Sequence, residues 1–334
     1  MTVSTNLHDR FFKEVFSGRD VAQDFLRHYL PMPVLDLLDL STLEAMKDSF
    51  VDEQLRAHFS DLVYRISMKL PQPAYVCLLL EHKSYPDRQV PVQLLRYMAQ
   101  IWGHVFDQQP GIKYLPVIIP LVFYHGAARW SESHNLGSLF DINPTLAPHF
   151  PDYRYLLFDL STMTDEEIRG AAKTRMTLLV QKYFFDDKLL DKLGELSCIS
   201  KELPADGNRD KYLRSVAQYL LGTDKITRKD LENFLDQATD GRGGDIMPTI
   251  AETIFDEGLQ QGLQQGLQRG VLQEAQKAVI EVLEARFGAI PRAAADVVAE
   301  LLDITLLRSL RKQAVMSSSL EEFTLLLEES RTRH

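Results

Sequence analysis

Asp61, Glu81 and Lys83 are residue types that together can serve phosphodiester hydrolysis, and the local pattern brings them to one place. From Asp61 to Leu70 the chain alternates strictly. Leu62, Tyr64, Ile66, Met68 and Leu70 fall on one side, and Asp61, Val63, Arg65, Ser67 and Lys69 on the other, which predicts a strand with one wet face. Pro71-Gln72-Pro73 breaks the pattern. Residues 74–80 form a near-continuous apolar run, a buried strand that stops at Glu81-His82-Lys83. As an antiparallel hairpin with Leu70 opposite Ala74, the two strands set Asp61 opposite Lys83 and Val63 opposite Glu81. All four then share one face, and a shift of two residues keeps them there. Two carboxylates with waters and a backbone carbonyl suit Mg²⁺, a cation that prefers oxygen. Such an ion polarises a phosphoryl oxygen and stabilises the leaving oxygen. A lysine beside it orients a water or steadies developing charge. The plainer reading is a strand end with a solvated Asp–Lys pair, and Glu-x-Lys alone is a common sequence.

Other residues of chemical interest divide differently. The parity of His82 points it to the face opposite Glu81, as a buried histidine packed against a helix. His125, in Tyr-His-Gly, is a candidate strand-end residue near substrate. The sequence contains no HExxH, no GxSxG and no Walker loop, so zinc-protease, serine-hydrolase and P-loop readings lack their residues.

The elements that must position these residues are legible in outline. Residues 8–30 read as an amphipathic helix with Phe11, Phe12, Val15, Phe16, Phe25 and Leu26 at helical spacing, divisible at Gly18 and ended by Pro31 and Pro33. Asp9 reads as its N-cap. A short helix is expected over 34–40, and 43–51 is open between strand and loop. Residues 90–107 read as a helix with Pro91 tolerated in its first turn. Residues 115–124 form a further apolar strand containing Pro116 and Pro120, and 155–160 a fourth. Beyond Thr164 helices dominate.

Composition sets the outer bounds. The chain has 334 residues, 45% hydrophobic and 25% charged, which is ordinary for a globular protein of about two domains. Two cysteines with no CxxC exclude a disulfide scaffold and a cysteine zinc site. No run approaches ~18 apolar residues and the N-terminus lacks a signal pattern, so a soluble, cytoplasmic protein is expected. The net charge of −10 argues against nucleic-acid binding, but the acid surplus is uneven. Residues 1–130 hold 13 Lys+Arg against 14 Asp+Glu, whereas the remaining 204 hold 24 against 33.

The chain resembles the recombination-promoting nuclease family, long labelled YhgA-like transposases, which has a PD-(D/E)XK nuclease fold. The resemblance rests on HDRFFKEVFS at 8–17, YLP at 29–31, STLE at 41–44, SDLVYRI at 60–66, LLLEHKS at 78–84, LLRYMAQIW at 94–102 and PVIIPLVFYHG at 116–126. It covers about the first 190 residues. It implies Asp61 and Glu81 as the catalytic, metal-holding carboxylates. Family members often carry Gln where this chain has Lys83, which matches the wider superfamily pattern. It further implies that Gln93 and Tyr97, on one helix face at i and i+4, brace the site, and that Glu14 is a helical acidic residue near the metal. Arg96 is placed to contact phosphate. The surface-helix reading of Gln93, Tyr97 and Glu14 stands beside this one.

Downstream, Asp240-Gly241-Arg242-Gly243-Gly244 reads as a linker, and Thr249 with Glu252 has the spacing of a capping box. A Gly-Leu-Gln repeat follows, with glycines at 258, 262, 266 and 270. A four-residue repeat drifts about 40° per step on a helix, so Leu259, Leu263 and Leu267 form a slowly winding stripe. It reads either as a helical linker or as a self-association helix. The expectation is a restriction-endonuclease-like α/β core, a mixed sheet flanked by helices, with a C-terminal all-helical region. The boundaries fall at 1–195, 196–245 and 246–334. The expected function is Mg²⁺-dependent DNA cleavage of low sequence specificity (Mn²⁺ or Ca²⁺ as substitutes), by a homodimer without organic cofactor or membrane, linked to recombination, mobile elements or defence. The alternative is a catalytically silent interaction module on the same fold.

Overall fold

The computed structural model describes residues 3–46, 62–69, 75–141 and 143–332. Asp61 and residues 70–74, where the break at Pro71-Gln72-Pro73 is expected, lie outside the described residues. The chain divides into two compact units, Met1–Ile250 and Ala251–His334.

The first unit is a five-stranded mixed sheet flanked by helices. Its strands are β1 (Leu38–Ala45), β2 (Leu62–Met68), β3 (Tyr75–Lys83), β4 (Val117–Tyr124) and β5 (Leu156–Asp159), side by side in chain order. The β1–β2 and β2–β3 pairs are antiparallel, and β3, β4 and β5 are parallel. The hairpin expected between β2 and β3 forms, but Leu62 pairs with Leu80 and Val63 with Leu79. The register is therefore two residues away from the expected one. The face is unchanged, because side chains alternate with a period of two. Tyr64 and Ile66 are buried, while Arg65 and Ser67 are exposed, as the alternation requires. β3 also runs on through Glu81, His82 and Lys83 rather than stopping before them, because β4 pairs with all three. Pro120 sits where β4 has β3 but not yet β5 beside it, the position at which a strand tolerates a missing N–H.

Two helices cover one face. α1 (Val3–Phe16) buries Phe11, Phe12, Val15 and Phe16, one stripe at helical spacing, and α2 (Arg19–Tyr29) buries Val21, Ala22, Phe25 and Leu26. They are separated at Gly18, the expected division. Because α1 begins before residue 8, Asp9 lies inside the helix and is not its cap. The single turn α3 (Met32–Leu35) leads into β1, so of the segment 34–40 expected to be helical only its start is helix, and its last three residues belong to the strand. α4 (Val90–Gln108) covers the other face. Val90, Leu94, Tyr97, Met98, Ile101 and Val105 are buried, and all but Val105 form one cluster with Ile118 and Val122 of β4 and with Tyr155.

The helices α5 (Ala172–Tyr183), α6 (Leu189–Ser200), α7 (Gly207–Leu220) and α8 (Arg228–Ala238) complete the main core. Leu196, Leu213, Phe234 and Met247 belong to the same buried cluster as Phe12 and Phe123. A division at 195 would therefore cut through one core, and the sequence-based boundaries are corrected on this point. The glycine-rich stretch at 240–244 is a tight helix end rather than a linker. Asp240 (φ 54°) and Gly241 (φ 89°) take left-handed backbone, and the Gly241 N–H closes on the Asp236 carbonyl at 2.8 Å. α9 (Gly243–Phe287) starts immediately after, so Thr249 lies within a helix rather than at its start.

The second unit holds α10 (Arg292–Glu300), α11 (Ile304–Met316) and α12 (Leu320–Thr332). They share a small core with the C-terminal part of α9, built from Val279, Leu283, Val298, Leu307, Leu310, Phe323 and Leu327. Among the described residues no helix is long and apolar enough to cross a membrane.

Candidate active site

Strand alternation at the end of β3 sends successive side chains to opposite faces. Leu80 and His82 go to the α1 face, and Glu81 and Lys83 to the α4 face. The α4 stripe that packs on β4 also carries Tyr97, and one turn earlier Gln93 projects toward the strand end. Four polar side chains meet there. Gln93 Nε2 donates to Glu81 Oε1 at 2.8 Å and to Tyr97 Oη at 2.7 Å. Lys83 Nζ donates to Gln93 Oε1 at 2.9 Å and sits 3.2 Å from Glu81 Oε1. A third acceptor, Asp87 Oδ2, lies 3.2 Å from the same amine.

The cluster is enclosed. Glu81 is 1% exposed, and the Lys83 side chain 10%. Burial disfavours the Lys83 ammonium, but the charges of Glu81 and Asp87 outweigh it and lift the amine above its ordinary pKa. Lys83 is therefore a cation that donates hydrogen bonds, not a general base.

Glu81 Oε2 is buried and has no hydrogen-bond partner among the described residues. A buried carboxylate oxygen without a donor is costly to leave unmatched, and a divalent cation matches it. That oxygen is thus available to the metal that the family resemblance implies. The second expected ligand, Asp61, lies outside the described residues. Among those described, no three His, Cys, Asp or Glu side chains are grouped as a metal site.

Other expected residues go elsewhere. Glu14 is exposed on α1, the helix that covers the His82 face, and its carboxylate accepts from Ser215 of α7. It does not join the Glu81 cluster, and its assignment as a metal ligand is corrected to a link between two helices. His82 behaves as its parity requires. It is buried, shares a 2.9 Å hydrogen bond with Asp9, and stacks between Phe12 and His125 at ring distances of 4.6 and 4.8 Å. His125 is also buried on that face, 4.9 Å from the ring of His8, which removes it from the substrate side. Arg96 is exposed and, with Gln89, Val92, Gln93 and Tyr97, lines an open hollow of about 440 Å³ beside the cluster.

Asp87 was not expected. The signal lay in the turn Ser84-Tyr85-Pro86-Asp87 ahead of a proline-containing helix start, where an aspartate commonly binds a backbone N–H. Its Oδ1 accepts from the Gln89 N–H at 2.8 Å.

The model of the family described as "Putative transposase, YhgA-like" matches residues 6–210, a span that contains the whole cluster. The chain belongs to this family. It is 30% identical over 263 residues to recombination-promoting nuclease RpnA of Escherichia coli K12, covering 76% of this chain and 85% of the relative. Recombination-promoting nuclease RpnC of the same organism is 29% identical over 259 residues, covering 77% and 83%. The inactive recombination-promoting nuclease-like protein RpnE, also from that organism, is 30% identical over 265 residues, covering 77% and 85%. Family membership and the mixed α/β fold with its helical C-terminal region agree with the sequence-based expectation. No solved structure matches the chain.

Proposed function

We propose that the protein is a metal-dependent nuclease that hydrolyses phosphodiester bonds in DNA with little sequence specificity, in the setting of recombination, mobile elements or defence. The observation that carries this reading is the buried, unpartnered Oε2 of Glu81 beside the Lys83 ammonium, at the end of a strand in a fold related to named nucleases. Asp61 adjoins Leu62, whose strand partner Leu80 adjoins Glu81, so the chain order supports the same pair of carboxylates. Mg²⁺ held by Glu81 and Asp61 would supply charge stabilisation at the phosphoryl group and an acidified water. Lys83 offers N–H donors to the developing negative charge or to the attacking water. Gln93 fixes Glu81 and Lys83 relative to each other, and Tyr97 fixes Gln93. Arg96 offers a fork of donors to a backbone phosphate in the hollow alongside.

Cutting both strands of a duplex with one site per chain needs two chains or two successive nicks. The reading therefore includes a homodimer held in part by residues 250–334. There the α9 repeat leaves Leu259, Leu263 and Leu267 exposed at 54%, 65% and 70%, next to glycines with open space around them.

The silent-module reading has one observation in its favour, the relative whose name marks it as inactive at the same level of identity. Mg²⁺-dependent nicking of supercoiled plasmid separates the two readings. Cleavage by wild type and none by Glu81→Gln supports the nuclease; no cleavage by wild type supports the silent module.

A further inference from the structure

Lys83 has three N–H donors and three acceptors around it: Glu81 Oε1 at 3.2 Å, Gln93 Oε1 at 2.9 Å and Asp87 Oδ2 at 3.2 Å. Of the three, Glu81 is the one a bound cation would engage, through its unpartnered Oε2; the shared carboxylate charge then holds the amine at Oε1 less strongly, and the other two anchors carry more of its aim. Gln93 is neutral and already divides its amide between Glu81 and Tyr97. Asp87 is the remaining charge. Its two oxygens do different work: Oδ1 takes the Gln89 N–H at 2.8 Å, and Oδ2 takes Lys83. Its backbone carbonyl also takes the Val90 N–H at 3.3 Å at the start of α4.

We propose that Asp87 is a positioning residue for Lys83, aiming its amine at the reacting phosphate once a cation engages Glu81. A lysine is a point charge on a flexible four-carbon stem and loses its aim without a fixed counter-charge. Asp87 is fixed by the same turn that starts α4 and therefore sets Gln93. One carboxylate thus ties the orientation of the lysine to the helix that braces the site. The inference rests on the nuclease reading and adds to it a residue outside the Asp–Glu–Lys set.

The test uses the full chain with Asp87→Asn and Asp87→Glu. The asparagine keeps one carbonyl oxygen for the Gln89 N–H, so the helix start survives, but turns an NH₂ toward Lys83. The glutamate retains a carboxylate. Plasmid-nicking kinetics are read together with labelling of Lys83 by an amine-reactive ester, followed by mass spectrometry. Asp87→Asn is expected to lower kcat about tenfold, the loss of one charged hydrogen bond, with KM unchanged and Lys83 labelled faster. Asp87→Glu is expected to recover part of both. Wild-type kcat and wild-type labelling in Asp87→Asn would overturn the proposal, since a residue that only starts the helix is satisfied by asparagine. If wild type shows no cleavage, the nuclease reading fails, and unchanged or faster Lys83 labelling in Asp87→Asn still decides the role of Asp87.

Discussion

Lys83 and Gln93 are joined by a 2.9 Å hydrogen bond from Nζ to Oε1, and that bond settles which end of the Gln93 amide faces Glu81. With its oxygen on the ammonium, the NH₂ is left for Glu81 Oε1 and Tyr97 Oη, and both are within 2.8 Å. The amide thus works as a spacer with a donor end for the carboxylate and an acceptor end for the amine.

Gln93→Glu replaces the donor end with a second carboxylate at hydrogen-bond distance from Glu81. Two such groups cannot both ionise freely, so one carboxyl pKa rises. A raised folded-state pKa gives stability that is lost as pH rises through it. Relative to wild type, the melting temperature of Gln93→Glu is expected to fall between pH 5 and pH 8. Tyr97→Phe removes one hydrogen bond and is expected to cost about 1 kcal/mol, near fivefold in rate. Parallel pH profiles of melting for wild type and Gln93→Glu would contradict the orientation.

Lys83→Ala is expected to lower turnover about 10²-fold or more, the scale of losing one preorganised charge stabiliser, while Mg²⁺ affinity falls far less. A protonated lysine cannot ligate the ion. Lys83→Gln retains N–H donors and is expected to keep partial activity. Equal losses of turnover and of Mg²⁺ binding in a metal titration would show that Lys83 acts on the ion site instead.

The histidines on the other face set an acid limit on stability. Burial, with the neighbouring His82, lowers His8 to about 4 despite the opposing charge of Asp9, and burial with His82 and His8 holds His125 well below its ordinary value. The unfolded chain titrates near the ordinary 6.5, so between pH 6.5 and 4 it binds more protons than the folded protein. Stability is therefore full above pH 6.5 and lost as pH falls through that window, by up to about 3 kcal/mol for His8. His8→Gln is expected to flatten the pH dependence of urea unfolding there. An unchanged slope would show that His8 is not the group being titrated.

Truncation after Ile250 keeps every buried residue of the first core, Ile246 and Met247 included. The shortened chain is expected to nick plasmid but to associate less than the full chain by light scattering. A full-length monomer at micromolar concentration, or an equally dimeric truncation, would remove residues 251–334 from that role.

The positions of Glu81 and Lys83 were legible because strand alternation has a period of two, and a register error of two residues leaves the face intact. Gln93 and Tyr97 came from the family resemblance; helix spacing added only that i and i+4 lie on one face, where the two side chains are hydrogen-bonded. Local pattern failed where contacts cross long stretches of sequence. Asp9 has the look of a helix cap, but the helix starts earlier and its carboxylate meets His82, 73 residues on. Glu14 meets Ser215, which no local spacing announces. Asp87 is four residues from Lys83 without a helix between them, so only the turn brings the two charges together. The extent of the first core was hidden for the same reason: α6 to α8 return to a sheet built from the first 160 residues.

The central claim, that Glu81 and Asp61 hold the metal for cleavage, is tested most directly by nicking of supercoiled plasmid with and without Mg²⁺. Wild type, Glu81→Ala and Asp61→Ala are compared, each first shown by circular dichroism to be folded. The expected result is Mg²⁺-dependent nicking by wild type and none by either variant. Full activity in either folded variant would contradict the claim.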